Sequence, residues 1–206
     1  MNPMKSFRGW SIVLAVAAML ASCASEPPPE PPAPPAFTFG AGEPITLFVE
    51  DVDVVEVYEP PLAEPNVEHF YQAKPADIVR AWAERRIRAA GEGAALQVSI
   101  LDASVVEEPV IQEAPGGLFG GLRRDLKDAP NRRLKGRLLV NLSYDGAYGT
   151  FTVDAETLGF VDINKRASLN IVEEQYNAML LDMADKLDEA LTRRVNESMA
   201  DLVLGM

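Results

Sequence analysis

The chain holds one cysteine, Cys23, and one histidine, His69. An intramolecular disulfide therefore has no partner, and a zinc site of Cys and His ligands cannot be assembled. A Ser–His–Asp arrangement would have to use His69, which sits in a proline-flanked stretch. No G-x-S-x-G, H-E-x-x-H or P-loop pattern occurs. Positive charge is also scarce, with 19 Lys and Arg against 31 Asp and Glu. Such a balance makes a poor general nucleic-acid binder, because phosphate binding needs clustered cations. Glu50, Asp51, Asp53 and Glu56 cluster as in a calcium loop, but Val52, Val54 and Val55 intervene and no central glycine is present. They read as the solvated face of a strand. The sequence calls for no metal and no cofactor, and nothing in it points to an enzyme.

What is present begins at the N-terminus. Lys5 and Arg8 precede an apolar run over residues 10–20 that only Ser11 interrupts. That run is about half the roughly 20 residues a membrane-spanning helix needs, and it has the size of a signal-peptide core. It ends in Leu20-Ala21-Ser22-Cys23. This sequence resembles the lipobox of bacterial lipoproteins at all four positions. The resemblance implies cleavage before Cys23 and lipid attached to that cysteine, which would use the only thiol. Ala24, where a retained lipoprotein of enteric bacteria carries Asp, implies the outer membrane, with the domain facing the periplasm. Cleavage would remove Lys5 and Arg8 and no acid, so the formal charge of −12 would fall by two, to −14.

Three regions are expected: a signal peptide over residues 1–22, a lipidated tether over 23–43 and one α+β domain over 44–206. Seven of the nine residues from 27 to 35 are proline, which favours extended polyproline II. At about 3.1 Å per residue, residues 23–37 span roughly 40 Å.

In the domain, residues 44–58 alternate through Ile45, Leu47 and Val49, then slip phase near Glu50 and Asp51. A bulge or two short strands would account for this. Pro75 suits a first helical position and Gly91 the position past the end. Between them Ile78, Val79, Trp82, Ala83, Ile87 and Ala90 form a helical stripe opposite Arg85 and Arg88, with Trp82 in the core. Leu96, Val98 and Ile100 mark another strand. Leu134, Leu138, Val140, Leu142 and Tyr144 share one face of the clearest one. Asp145-Gly146 is a hairpin-turn dipeptide. Phe151, Val153 and Ala155 point inward on the return strand, and Gly159 reads as a bulge or a fraying end. The last element is a long helix over residues 171–202, with Asn170 and Glu173 as a capping box. Its stripe runs Val172, Tyr176, Met179, Leu180, Met183, Leu187, Leu191, Val195, Leu202, the methionines serving as core filler. The order β-α-β-β-β-α predicts a two-layer sandwich, a four-stranded mixed sheet with one face covered by two helices.

A connection of about 25 residues between the second and third strands is longer than a routine loop. It holds Leu118 and Phe119 among four glycines. Arg123, Arg124, Lys127, Arg132, Arg133, Lys135 and Arg137 follow, seven of the chain's 19 basic residues. Two readings stay open. Leu118, Phe119, Arg123, Arg124, Arg132 and Arg133 contact anionic lipid or an acidic partner, or the charges are solvated and the apolar pair folds back onto the domain.

The layout of lipobox, tether and β-α-β-β-β-α domain resembles outer-membrane assembly lipoproteins, such as the lipopolysaccharide-assembly lipoprotein, and the lipoproteins auxiliary to ABC-type transporters. The resemblance implies a non-catalytic accessory subunit in envelope assembly or lipid transport, held to the membrane by its lipid and bound to an envelope protein. The alternative is a free-standing lipoprotein that binds lipid or another small hydrophobe. Only Cys23 carries a transferred role.

Overall fold

The computed structural model describes residues 32–39, 42–110 and 130–205. The lipobox with Cys23, the proline run up to residue 31, and Leu118, Phe119, Arg123 and Arg124 lie outside the described residues.

The expected α+β architecture is present. Chain order is β1 (Ile45–Leu47), β2 (Val52–Glu56), α1 (Pro75–Arg86), β3 (Ile87–Ala89), β4 (Leu96–Pro109), β5 (Pro130–Gly146), β6 (Gly149–Asn164) and α2 (Leu169–Ser198). The main sheet runs β2-β4-β5-β6, while β1 and β3 form a separate two-stranded sheet. β2 lies parallel to β4, as a strand–helix–strand unit requires, and β4-β5-β6 are antiparallel. The sheet is therefore mixed.

The phase slip near Glu50 separates two strands rather than forming one bulge, because β1 pairs with β3 and β2 with β4. Pro75 opens α1, whose first turn is held by Asp77 accepting the Lys74 backbone N–H at 2.9 Å. The helix does not reach Gly91. It stops at Arg86, and Ile87 adopts φ −109°, ψ 134°. β-Branched Ile87 gains more by pairing with Ile45 than by one further helical turn. Pairing in the β5–β6 hairpin continues through Asp145 and Gly146 to Gly149, so Ala147 and Tyr148 make the turn in place of the expected dipeptide. α2 is capped by Ser168, whose hydroxyl accepts the Ile171 N–H, and not by Asn170.

The predicted core is otherwise in place. Leu134, Leu138, Val140, Leu142 and Tyr144 are buried along one face of β5, and all nine stripe residues of the last helical region are buried. Gly159 is neither a bulge nor a fraying end. It sits mid-strand in register with Gly136, beneath buried Met179 and Met183 of α2. A Cβ on Gly159 would lie 2.6 Å from the Met183 Cγ, and one on Gly136 2.6 Å from its Sδ. The pair lets α2 approach the sheet more closely than any side chain would permit.

The folded body also takes in residues ahead of position 44. Phe37 and Phe39 are buried, and Arg85 of α1 donates to the Phe37 carbonyl at 2.6 Å. Arg86 beside it donates to the carbonyls of Gly42 and Glu43 at 2.7 and 3.0 Å.

Candidate functional site

Two surfaces stand out, one at each face of the sheet. The first lies at the far end of β4 and β5, on the helix-covered side. The segment leading into α1 is pinned there by buried Glu68, which accepts from the Tyr58 hydroxyl at 2.8 Å and the Val105 N–H at 3.0 Å. Lys74 donates to the carbonyls of Glu68 and Tyr71. Tyr71 stacks on Tyr176 of α2 with ring centres 3.8 Å apart, and Tyr176 donates to the Ala73 carbonyl at 3.0 Å. Burial pushes both phenols up from their ordinary pKa, so each stays neutral. Between this segment and the first turn of α2 opens a cleft of about 630 Å³ with Val67, Tyr71 and Val172 among its lining. Phe70 and Leu169 at its mouth are 72% and 84% exposed. Arg132 reaches it from β5, paired with Glu107 at 3.2 Å.

The second surface is the opposite face of the sheet, whose side chains are exposed or half-buried apart from buried Ser99. Three cations of β5 project onto it, each in an ion pair. Arg133 grips Asp162 with two bonds at 2.5 and 2.8 Å, which holds that carboxyl below the usual carboxylate range. Arg137 bridges Asp102 and Glu156 at 2.7 Å each, and Lys135 meets Glu108 at 2.6 Å. Across from them on β6 stand Leu158 and Phe160, 59% and 68% exposed. Leu158 is in register with Arg137 and Phe160 with Lys135, and the Arg133 guanidinium lies 5.2 Å from the Phe160 ring centre. Exposed pairs like these ion pairs contribute little stability each. Their effect is to surround two large apolar side chains with paired charges in which four carboxylates face three cations.

Of the residues singled out from sequence, Arg132 and Arg133 are described, and they point to opposite faces of the sheet. One lines the cleft and the other braces Phe160. Leu118, Phe119, Arg123 and Arg124 lie outside the described residues. His69 sits in a single 3-10 turn, Glu68–Phe70, with its ring centre 3.9 Å from that of Phe70. Sequence reasoning passed over Leu158 and Phe160, although a signal was there. Thr152, Asp154 and Glu156 set a polar phase that these two residues break.

No family model and no curated protein matches the chain. Among solved structures it is similar to a minor lipoprotein from Acinetobacter baumannii, at 10% identity and TM-score 0.38, over 74% of this chain and 96% of that one. It is also similar to a protein of family DUF330 from Xanthomonas campestris, at 10% identity and TM-score 0.36, over 82% and 99% of the two chains. A third likeness is to a PelC dodecamer from Paraburkholderia phytofirmans, at 14% identity and TM-score 0.18, over 75% and 96%.

Proposed function

We propose that the chain is a lipid-anchored protein of the bacterial envelope that acts by binding, as a non-catalytic accessory subunit in envelope assembly or lipid transport. The observation that carries this reading is Leu20-Ala21-Ser22-Cys23 at the end of a short apolar run preceded by Lys5 and Arg8. Lipid on Cys23 explains why an exported chain keeps one unpaired cysteine. The proline run then acts as a spacer, and Ala24 favours the outer membrane, periplasmic side. The folded domain supports the binding half. Leu158 and Phe160 are exposed neighbours on a sheet face that no other described element covers, among charges largely paired by β5, the make-up of a protein contact with an apolar centre and a polar surround. The test is lipid labelling and fractionation. Wild-type protein is expected to incorporate radiolabelled palmitate and to sediment with membranes. Cys23→Ala is expected to lose both, and a Cys23→Ala protein that remained lipid-modified would overturn the reading. An envelope partner is expected to crosslink to wild type in detergent-solubilised membranes.

The cleft favours a second reading, a hydrophobe-binding lipoprotein. Its volume of about 630 Å³ falls within the roughly 300–1,000 Å³ of small-molecule sites. That reading expects lipid to co-purify with the protein. It also expects Phe70→Asp, at an exposed position, to reduce the lipid found by native mass spectrometry several-fold with the fold unchanged. Lipid-free wild-type protein would eliminate it.

A further inference from the structure

We propose that the free edge of β6 takes up an extended segment of another protein as an added strand, one in which apolar residues alternate with Lys or Arg. The proposal deepens the binding role above and rests on it only for the partner being a protein.

Among the described residues, the order β2-β4-β5-β6 leaves β6 strand-paired with β5 alone over residues 149–163. Most strands run only about 5–6 residues, and a free edge offers a row of unpaired N–H and C=O groups to any chain that can align with it. In an antiparallel ladder each residue's N–H and C=O point the same way and alternate along the strand. Lys186 of α2 approaches the Leu158 carbonyl at 3.5 Å. That carbonyl therefore faces the free edge, and by alternation Asp154, Glu156 and Phe160 face it too. Several of the usual protections of an edge are missing. β6 contains no proline, lysine or arginine, and its register with β5 is unbroken from Ile163 back to Gly149. The opposite edge differs, since β2 is five residues long and its Glu56 is tied to Arg80 of α1.

The edge is also flanked for a guest. On one side stand exposed Leu158 and Phe160. On the other, Lys186, Glu189, Ala190 and Arg193 of α2 form with Glu156, Thr157 and Leu158 a trough of about 490 Å³. A strand laid along the edge would have backbone hydrogen bonds for affinity and flanking contacts for alternate side chains, as in strand addition generally.

Charge selects the guest. β6 carries Asp154, Glu156 and Asp162 and no cation. Its existing neighbour β5 answers them with Asn141, Arg137 and Arg133. A second copy of β6, laid antiparallel and centred on Leu158, would set Asp154 against the second copy's Asp162. Centred between Leu158 and Phe160, it would set Glu156 against the same residue. Like charges directly opposite are unfavourable. A strand with the character of β5 matches instead.

The test titrates the full-length protein, in detergent micelles, with three nine-residue peptides. One alternates valine with lysine, one alternates valine with glutamate, and one is the lysine peptide N-methylated along one edge. The lysine peptide is expected to slow amide hydrogen exchange at least tenfold in residues 150–164. The other two peptides are expected to bind at least tenfold more weakly. Leu158→Pro removes an edge-facing N–H while sparing the ladder to β5, and it is expected to weaken binding at least tenfold. The double variant Leu158→Lys, Phe160→Lys, at two exposed positions, should do the same and serves if the proline variant does not fold. Equal binding of the N-methylated peptide, protection elsewhere in the chain, or no binding at millimolar peptide would overturn the proposal. So would self-association of the protein that Leu158→Pro abolishes, since the edge would then belong to a second copy. The envelope-binding reading fails separately, through Cys23→Ala labelling or the absence of a crosslinked partner, and neither result alters the peptide titration.

Discussion

Gly159→Val is expected to lower the unfolding free energy by about 3 kcal/mol, the upper part of the range for overpacking a well-filled core. A Cβ at that position meets Met183 Cγ at 2.6 Å, Met183 Sδ at 2.7 Å and Met179 Cγ at 2.9 Å. Met183 is fully buried and Met179 is 4% exposed, so neither has open space to move into. The backbone of α2 must lift instead, and Leu180 and Leu187 on the same stripe would lose contact with the sheet. Gly136→Val should behave alike, since its Cβ meets the Met183 Sδ at 2.6 Å. Thr152→Val, on the exposed phase of the same strand, is expected to fall within about 0.5 kcal/mol of wild type. A double-mutant cycle isolates the contact. Gly159→Ala should cost less in a Met183→Ala background than in wild type, because the shortened side chain makes room. Urea denaturation of the purified proteins measures all of these. Additive costs in the cycle would show that Gly159 is required for a reason other than Met183.

The same glycine shows where sequence reading stops. A period-two pattern in β5 and a period-3.6 pattern in α2 are local properties, so Leu134 to Tyr144 and Val172 to Leu202 declare their buried faces without knowledge of the partner. Gly159 is different. Its need follows from methionines on another element, and alone it looks like a weak spot in a strand. β1 falls within the alternation read from Ile45 and Leu47, but β3 is three residues long, too short for a periodic signal of its own, and it exists because Ile87 and Ile45 find each other in space. The turn at Ala147 and Tyr148 was displaced from Asp145-Gly146 by continued pairing with Thr150 and Gly149, which a dipeptide rule cannot weigh. Of the candidate surfaces, the outward phase of β6 was readable from Leu158 and Phe160. The cleft was not, because Phe70, Arg132 and Leu169 come from three distant parts of the chain.

Asp188→Ala is expected to cost about 3–5 kcal/mol, the range for leaving one partner of a buried ion pair uncompensated. Arg86 and Asp188 side chains are 8% and 13% exposed and meet at 2.8 Å. One carboxylate oxygen of Asp188 also accepts from the indole N–H of buried Trp82 at 3.0 Å and from the Thr192 hydroxyl at 3.2 Å. Removing it leaves the guanidinium without its counter-charge and the indole N–H without an acceptor, while the Thr192 hydroxyl still accepts from Arg86. Thr192→Val should be milder, near ~1 kcal/mol, because the charge pair survives. The sequence carried a faint trace of this network. Arg86 lies four residues after Trp82, in phase with the apolar stripe, where a purely solvated arginine would not fall. The consequence extends beyond stability, since Arg86 also holds the Gly42 and Glu43 carbonyls, where the N-terminal stretch enters the domain. Limited proteolysis of Asp188→Ala is expected to show faster cleavage over residues 37–44 than global unfolding alone explains. The apolar double replacement Arg86→Met, Asp188→Leu should recover most of the global stability, because neither charge is then buried alone. It should not recover protection at 37–44, because no donor remains for those carbonyls. Stability and protection returning together would mean that the stability of the domain as a whole, and not the Arg86 contact to the entering chain, holds that segment in place.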